Sequence, residues 1–550
     1  MERDSFQISN VPRWPAALVS SPSEDPVDRY PVVPGITSAW YQVPSTGIDQ
    51  EQQSKALSQT TQFFKEEASN CLGWQASIYS GFSFGKFLNP DVDFPINNGG
   101  DPFTHVAPYP FNTKWMEQNV LDYYASLWHA KWPHNPKDPE TYHGYVLTMG
   151  STEGIILPLW NARDYLSGKY VSTVPLQHEM KDERPRIYPC AQSEAMPYIQ
   201  GKSQPNHQNV FTPVVFYSAD SNFVLPKTLR MLGMYNFSQI GTQEYPDENP
   251  LGGNWPLVVP SNEGRIDIEA LAVLVDFFSA KGHPIIVNFN YGTTFQGAYD
   301  DVKSAGEILV PILIRNNMYE RKVFYNPDDP SCYVTRKGFW FHVDGALGAS
   351  YMPFVEMAIK NRLINEKPDT KFPVFDFRLD FVSSIVTSGH KWIGTPWPCG
   401  IYMTRTGLLL QASGGPEYLI SPNSTLGTSR NGHSSLLLWL YISRNSFNSH
   451  VSRITRALEL VDYALKKLKD LELELQDDLC IFHSPLSLAI CFRQPNKHIT
   501  RKYWLVNQSI TVDGKAHDYS HIYVMDGTSK EQIDQFIKDL HAPGAFPPQV

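Results

Sequence analysis

The chain has 550 residues, 42% of them apolar and 13% aromatic, which rules out a disordered protein and exceeds what one simple core needs. Its 46 basic residues are outnumbered by 56 acidic ones, a formal charge of −10, and no basic block stands out, so neither nucleic acid nor an anionic membrane is an expected partner. Six cysteines with no C-x-x-C pair exclude a disulfide scaffold and read as reduced, buried thiols of a cytosolic protein.

Residues 1–50 are rich in proline and poor in periodic apolar positions, which predicts an extended arm. No apolar core of a secretory signal and no apolar run of about 18 residues is present, so a cytoplasmic protein without membrane spans is expected. Helical periodicity starts near Gln52, and Trp115–Trp128 is an amphipathic helix, so 51–110 reads as an N-terminal helical segment before the main domain. Short β-branched or aromatic runs then follow: Val214–Ser218, Pro284–Asn290, Phe339–Asp344 and Phe381–Thr387, with helical stretches such as Ile266–Ala280 and Asp300–Arg315 between them. Apolar strands alternating with helices predict an α/β domain over 111–405 with a mostly parallel sheet buried on both faces. Beyond Arg405 the pattern changes to a long helix (His450–Leu471), β-like runs at Leu486–Arg493 and His521–Asp526, and a last helix at Lys530–Leu540. Residues 406–550 therefore read as a smaller α+β domain.

Ligands of open α/β sheets bind beyond the carboxyl ends of the strands, so the residues after each predicted strand matter most. Gly150-Ser151-Thr152-Glu153-Gly154 opens a helix and can form a phosphate cradle; a Ser/Thr–Glu capping box is the alternative. Gly292-Thr293-Thr294 follows a strand and reads equally as a turn with satisfied hydroxyls. Asp344 ends an apolar strand ahead of Gly345, Ala346 and Gly348, where it either pairs with a cation or caps the next helix. Lys391, in IVTSGHKWIG, is a lysine in an apolar setting, either a structural ion pair or a nucleophilic amine with a depressed pKa. Together, a phosphate cradle, a strand-end carboxylate and a strand-end lysine match what pyridoxal 5'-phosphate requires. No metal-ligand spacing is found.

These motifs resemble the group II pyridoxal-phosphate-dependent amino-acid decarboxylases of the aspartate-aminotransferase fold, fold type I, most closely the histidine/serine decarboxylase branch. NNGGDPF (Asn97–Phe103), GSTEG, YGTTFQGAYDD, FHVDGALG, SGHKWIGTPWPCG and GTSRNGH (Gly427–His433) carry the likeness, over roughly 95–440. The resemblance implies a seven-stranded type of sheet and an L-amino acid converted to its amine and CO2 through a Schiff base and a quinonoid. It makes Lys391 the lysine of the Schiff base and Asp344 the partner of the pyridine nitrogen. Ser151, Thr152, Ser388 and His390 would hold the phosphate, Ala346 would lie against the ring, and Thr294 near the ring hydroxyl. A mobile loop, Glu417–Arg430, with Tyr418 as proton donor, would reach a neighbouring site in a homodimer. One position departs: Asn222 stands where the family carries a histidine stacked on the cofactor. Asparagine is neither a full aromatic ring nor a general acid or base near neutral pH. In related insect enzymes it accompanies oxidative deamination to an aldehyde, which is the alternative product here; a non-catalytic paralogue is disfavoured because Lys391 and Asp344 both survive. Phe82, Phe84, Phe87 and Phe94 suggest an apolar or aromatic substrate side chain, or core.

Overall fold

The structure, a computed structural model, describes residues 49–77, 95–103, 111–171, 198–201, 209–324, 331, 333–364, 371–410, 425–512 and 515–547. It divides into two units, residues 1–71 and 72–550. In the first, α1 (Gln50–Asn70) forms where helical periodicity predicts it, and Asp49 caps it by accepting the Gln52 N–H at 2.7 Å.

The second unit opens with α2 (Lys114–Leu127), β1 (Tyr142–Leu147) and α3 (Ser151–Leu166), then a ribbon of β2 (Lys169–Val171) and β3 (Tyr198–Gln200). Next come β4 (Val214–Phe216), α4 (Val224–Leu232), α5 (Phe237–Glu244), a hairpin of β5 (Ser261–Asn262) and β6 (Arg265–Ile266), and α6 (Ile268–Ala280). Strand β7 (Ile285–Asn290) leads to α7 (Val302–Arg315), the ribbon of β8 (Arg321–Phe324) and β9 (Tyr333–Arg336), β10 (Phe339–Asp344), α8 (Gly348–Lys360), β11 (Val382–Ser388) and β12 (Gly400–Arg405). After α9 (Gly432–Arg444) and α10 (Phe447–Leu475) come β13 (Ala489–Arg493), α11 (Lys497–Lys502), β14 (Val506–Val512), β15 (Lys515–Tyr523) and α12 (Lys530–Leu540).

The central sheet has the order β1-β12-β11-β10-β7-β4. Strands β4, β7, β10 and β11 pair in parallel, and β12 runs antiparallel to both β11 and β1, so β12 alone opposes the other five. The described residues thus show six strands where seven were expected. Their continuous apolar runs are explained by burial on both faces. Along β10, Phe339, Phe341 and Val343 enter one core layer, while Trp340 enters another with Ile155 and Leu159 of α3 and Leu225 of α4. The small antiparallel sheet β13-β15-β14 packs with α10 and α12.

Two of the motifs carrying the family resemblance are structural. Glu117 on α2 is fully buried and paired with Arg430, itself 3% exposed. The Glu117 carboxylate also accepts the Val146 N–H and the Asn98 amide, each at 3.0 Å, and Arg430 donates to the Gly100 and Val146 carbonyls. NNGGDPF and GTSRNGH are thereby locked to α2 and β1. Glu117→Ala leaves the guanidinium buried without its counter-charge, so it is expected to cost about 3–5 kcal/mol of stability, read from equilibrium urea unfolding; a loss below about 1 kcal/mol would refute that account.

Candidate active site

The register Asp344↔Asn290 between β10 and β7, and Asp344↔Val386 between β10 and β11, brings the carboxyl ends of three parallel strands level. Chemistry-bearing residues collect there because the sheet edge leaves loops free to turn over it. A small cavity beyond these ends is lined by Ser151, Asp220, Asn222, Asn290, Thr294, Asp344, Ala346 and Lys391, with Gly292 and Thr293.

Lys391 is delivered by a π-turn, Gly389–Ile393, in which the Gly394 N–H donates to the Gly389 carbonyl. Such turns interrupt regular geometry and frequently mark functional positions. Here the turn is fixed from both sides: the Gly389 N–H donates to Cys399 O at 2.7 Å, and the Ser77 N–H donates to Lys391 O at 2.9 Å. Gly394 has φ +78°, and a Cβ there would stand 2.6 Å from Ser77 O, so glycine is required. Burial holds the Lys391 amine below the usual lysine range, with the negative charge of Asp344 opposing the shift. Among the described residues no carboxylate lies in ion-pair contact with it; its Nζ donates to Gln75 Oε1 at 3.0 Å. The structural ion pair is therefore not what occupies this lysine.

Asp344 is 7% exposed. Burial pushes its carboxyl above the usual range, while Lys391 and the Ala346 N–H, donating at 3.2 Å, hold it back. It does not cap α8, whose N-cap is Leu347. Ala346 lines the same cavity beside it.

The capping box considered for Ser151 and Thr152 is also not formed. Gly150, at φ +66°, is the N-cap of α3, and no side chain caps it. Glu153 folds back to accept the Thr148 and Met149 N–H groups at 2.7 and 3.1 Å. Ser151 and Thr152 thus occupy the first helical turn, where backbone N–H groups attract anions, and the Ser151 N–H donates to Ser388 Oγ at 3.1 Å. A Cβ at Gly150 would meet His390 Cε1 at 2.5 Å, so the loop lies directly on that ring. His390 Nδ1 is buried with no hydrogen-bond partner among the described residues. Burial and the adjacent Lys391 lower its pKa, and the Cys399 backbone opposes them.

Asn222 is tied down twice. Its Nδ2 donates to Thr294 Oγ1 at 3.1 Å, and its Oδ1 accepts the Val224 N–H at 3.0 Å as α4 begins. The loop carrying it is anchored by Asn290, whose amide donates to Ser218 and Ser221 hydroxyls, each at 3.0 Å. The loop after β7 is held in turn by Tyr523 of the small sheet, whose hydroxyl donates to Thr293 O and Thr294 O at 3.1 and 3.2 Å.

Nine of the ten sequence-predicted site residues are described, and eight of them fall at the strand ends or in the turns directly after them: Asn222, Thr294, Asp344, Ala346, Ser388, His390, Lys391 and, opening α3, Ser151. Thr152 follows Ser151 in the same helical turn. Tyr418, most of the loop 417–430, and Phe82, Phe84, Phe87 and Phe94 lie outside the described residues. Two participants are not anticipated from sequence. Gln75 bridges Lys391 Nζ and the Thr294 carbonyl, two residues that line the cavity of about 20 Å³. Asp220 lines the cavity beside Asn222. Gln75 sits in an unpatterned segment, and no sequence signal points to it.

The donor set suits a planar pyridine aldehyde bearing a phosphate. It offers one amine, one buried carboxylate, a helix start that no side chain caps, and a buried imidazole nitrogen without a partner among the described residues. The small Ala346 leaves a ring face open.

Comparison with known proteins gives the same direction. Residues 257–494 match the model of the pyridoxal-dependent decarboxylase conserved domain. The crystal structure of L-methionine decarboxylase from Streptomyces sp. 590, in its internal aldimine form, is 37% identical, with a TM-score of 0.82 over 92% of this chain and 98% of that one. Histidine decarboxylase of Solanum lycopersicum is 27% identical over 82% of this chain and 80% of its own length. Serine decarboxylase 3 of Oryza sativa subsp. japonica is 26% identical over 84% and 75%.

Proposed function

From the premise that this chain belongs to the pyridoxal-dependent decarboxylases and is a pyridoxal-phosphate-dependent amino-acid decarboxylase, we propose that it converts an L-amino acid with an apolar side chain to the amine and CO2. The observation that carries the reading is the placement of Lys391 and Asp344 in the lining of one strand-end cavity. The 37% identity to a methionine decarboxylase supports an unbranched apolar side chain and makes methionine the first substrate to assay.

Bound there, the cofactor supplies an electron-deficient ring that accepts the electron pair left when CO2 departs. The protein does the rest. Lys391, whose amine burial holds below the usual lysine range, would be the nucleophile that holds the cofactor covalently and gives way to the substrate amine. Asp344 would hold the proton at the pyridine nitrogen. Ser151, Thr152, Ser388 and His390 would receive the phosphate at the start of α3, Ala346 would support one ring face, and Thr294 would serve the ring hydroxyl. Tyr418 is the proton donor in this reading, carried by a loop that reaches the neighbouring site of a homodimer in the cytoplasm; light scattering that gives a monomer for the active enzyme would remove the shared-site element.

A second reading rests on Asn222 alone: the amino acid, O2 and water would give aldehyde, CO2, ammonia and H2O2, with O2 as the two-electron oxidant. The amine is favoured because both ends of the Asn222 amide are already engaged, by Thr294 and by the start of α4. Assays of the wild-type enzyme and of Asn222→His are both expected to give CO2 and amine, with peroxide and ammonia far below one equivalent. Stoichiometric peroxide and ammonia from the wild type would replace the first reading with the second.

A further inference from the structure

Outside the cavity, the turn that delivers Lys391 leans on segment 72–77. One end of this segment lies on the small sheet, where the Tyr523 N–H donates to Leu72 O at 2.7 Å. At the other end the Ser77 N–H donates to Lys391 O, and the Ser77 carbonyl lies against Gly394. Between them, Gln75 accepts the Lys391 amine. A slip of the segment therefore displaces a main-chain and a side-chain partner of one lysine together.

The Ser77 side chain prevents that slip. Its Oγ donates to Asp526 Oδ1 at 2.7 Å, and the other oxygen of this carboxylate accepts Arg453 Nε at 2.7 Å. Asp526 follows β15 and Arg453 lies on α10; the two side chains are 5% and 15% exposed. Desolvation offsets much of what such a pair gains in stability, whereas its directional bonds fix the groups around it. The same guanidinium donates to the Tyr441 hydroxyl of α9 and stands 5.2 Å from the ring centroid of Trp392, the residue after Lys391. Trp392 is buried and packs on Tyr351. The turn is thus held on two flanks, at Ser77 and at Trp392, by one ion pair.

We propose that Arg453 and Asp526 are positioning residues for Lys391, setting where its amine stands by acting through Ser77 and Trp392. Neither lines the cavity itself. The inference rests on the reading of Lys391 as the reacting amine.

Two variants test it. Ser77→Ala removes the hydroxyl link and keeps the ion pair and the Ser77 main-chain bond; Asp526→Asn keeps the volume and gives up the charge. In the full-length holoenzyme, with its best L-amino acid substrate, each is expected to lower kcat about tenfold, since a misplacement of about 1 Å costs roughly a hundredfold. The double variant should lose no more than Asp526→Asn alone, because the two interrupt one path. The second readout is the pH midpoint for modification of Lys391 by an amine-reactive reagent in the full-length apoenzyme, followed by peptide mass spectrometry. Burial lowers this amine more than Asp344 raises it. A loosened turn admits water, so the midpoint is expected to rise by about half a unit or more. Asp344, Asp220 and His390, the titratable groups beside the amine, are unchanged in both variants. A merely structural pair would lower the melting temperature and leave the midpoint in place. An unmoved midpoint in Ser77→Ala, a kcat within about twofold of the parent, or additive losses in the double variant would each overturn the proposal. The midpoint is read without substrate, so its failure leaves the decarboxylase reading to be decided by CO2 release from the parent enzyme.

Discussion

Lys391→Ala is expected to reduce CO2 release by at least about a thousandfold while the protein still folds. Lys391 is the one amine lining the cavity among the described residues. Its replacement removes both the proposed covalent hold on the cofactor and the amine that burial holds below the usual lysine range. The backbone of the π-turn does not depend on the side chain, since Gly389, Gly394 and Ser77 fix it through main-chain bonds. Thermal melting should therefore change little. The proposed phosphate cradle does not use the amine itself, so the variant should retain cofactor by affinity and lose the absorbance band that the lysine linkage produces. A small amine added to the assay should restore part of the activity, because it supplies the missing nucleophile. Turnover within tenfold of the parent would refute the assignment of Lys391.

What the chain reveals unaided follows from how local each signal is. Strands β7, β10 and β11 are legible because both faces are buried, which makes the runs continuously apolar, and their chemistry sits in the next few residues. Strand β1 is harder to read, since Gly144 and His143 interrupt YHGYVL. Gly144 is there because β12 approaches closely: a Cβ would stand 2.3 Å from Tyr402 O. Strand β14 is missed because VNQSITV is polar and starts at a Val506 that is 45% exposed, as an edge strand can be. Glu117 reads as the wet face of an amphipathic helix; only a partner 313 positions away makes it a buried residue. Gln75 has the same difficulty, since its bond to Lys391 spans 316 positions. Long-range pairings of single polar residues leave no period in the sequence, whereas strand ends do.

Asp344→Asn isolates charge from shape, and its expected effect is a fall in turnover on the order of a hundredfold or more. Asparagine has nearly the same volume and can still accept the Ala346 N–H that Asp344 accepts at 3.2 Å. What it lacks is the negative charge that, in the proposed mechanism, would keep a proton on the pyridine nitrogen, and a neutral ring is a poorer acceptor of the electron pair released with CO2. The loss should therefore appear in kcat, with the cofactor still bound through Lys391. A second readout follows from the coupling between the two residues. Asp344 is the group that raises the Lys391 pKa against burial, so removing its charge should move that amine further below the usual lysine range. The pH midpoint for modification of Lys391 by an amine-reactive reagent in the apoenzyme is then expected to fall. A merely structural Asp344 would lower stability and leave that midpoint in place. Full turnover together with an unmoved midpoint would remove Asp344 from the mechanism.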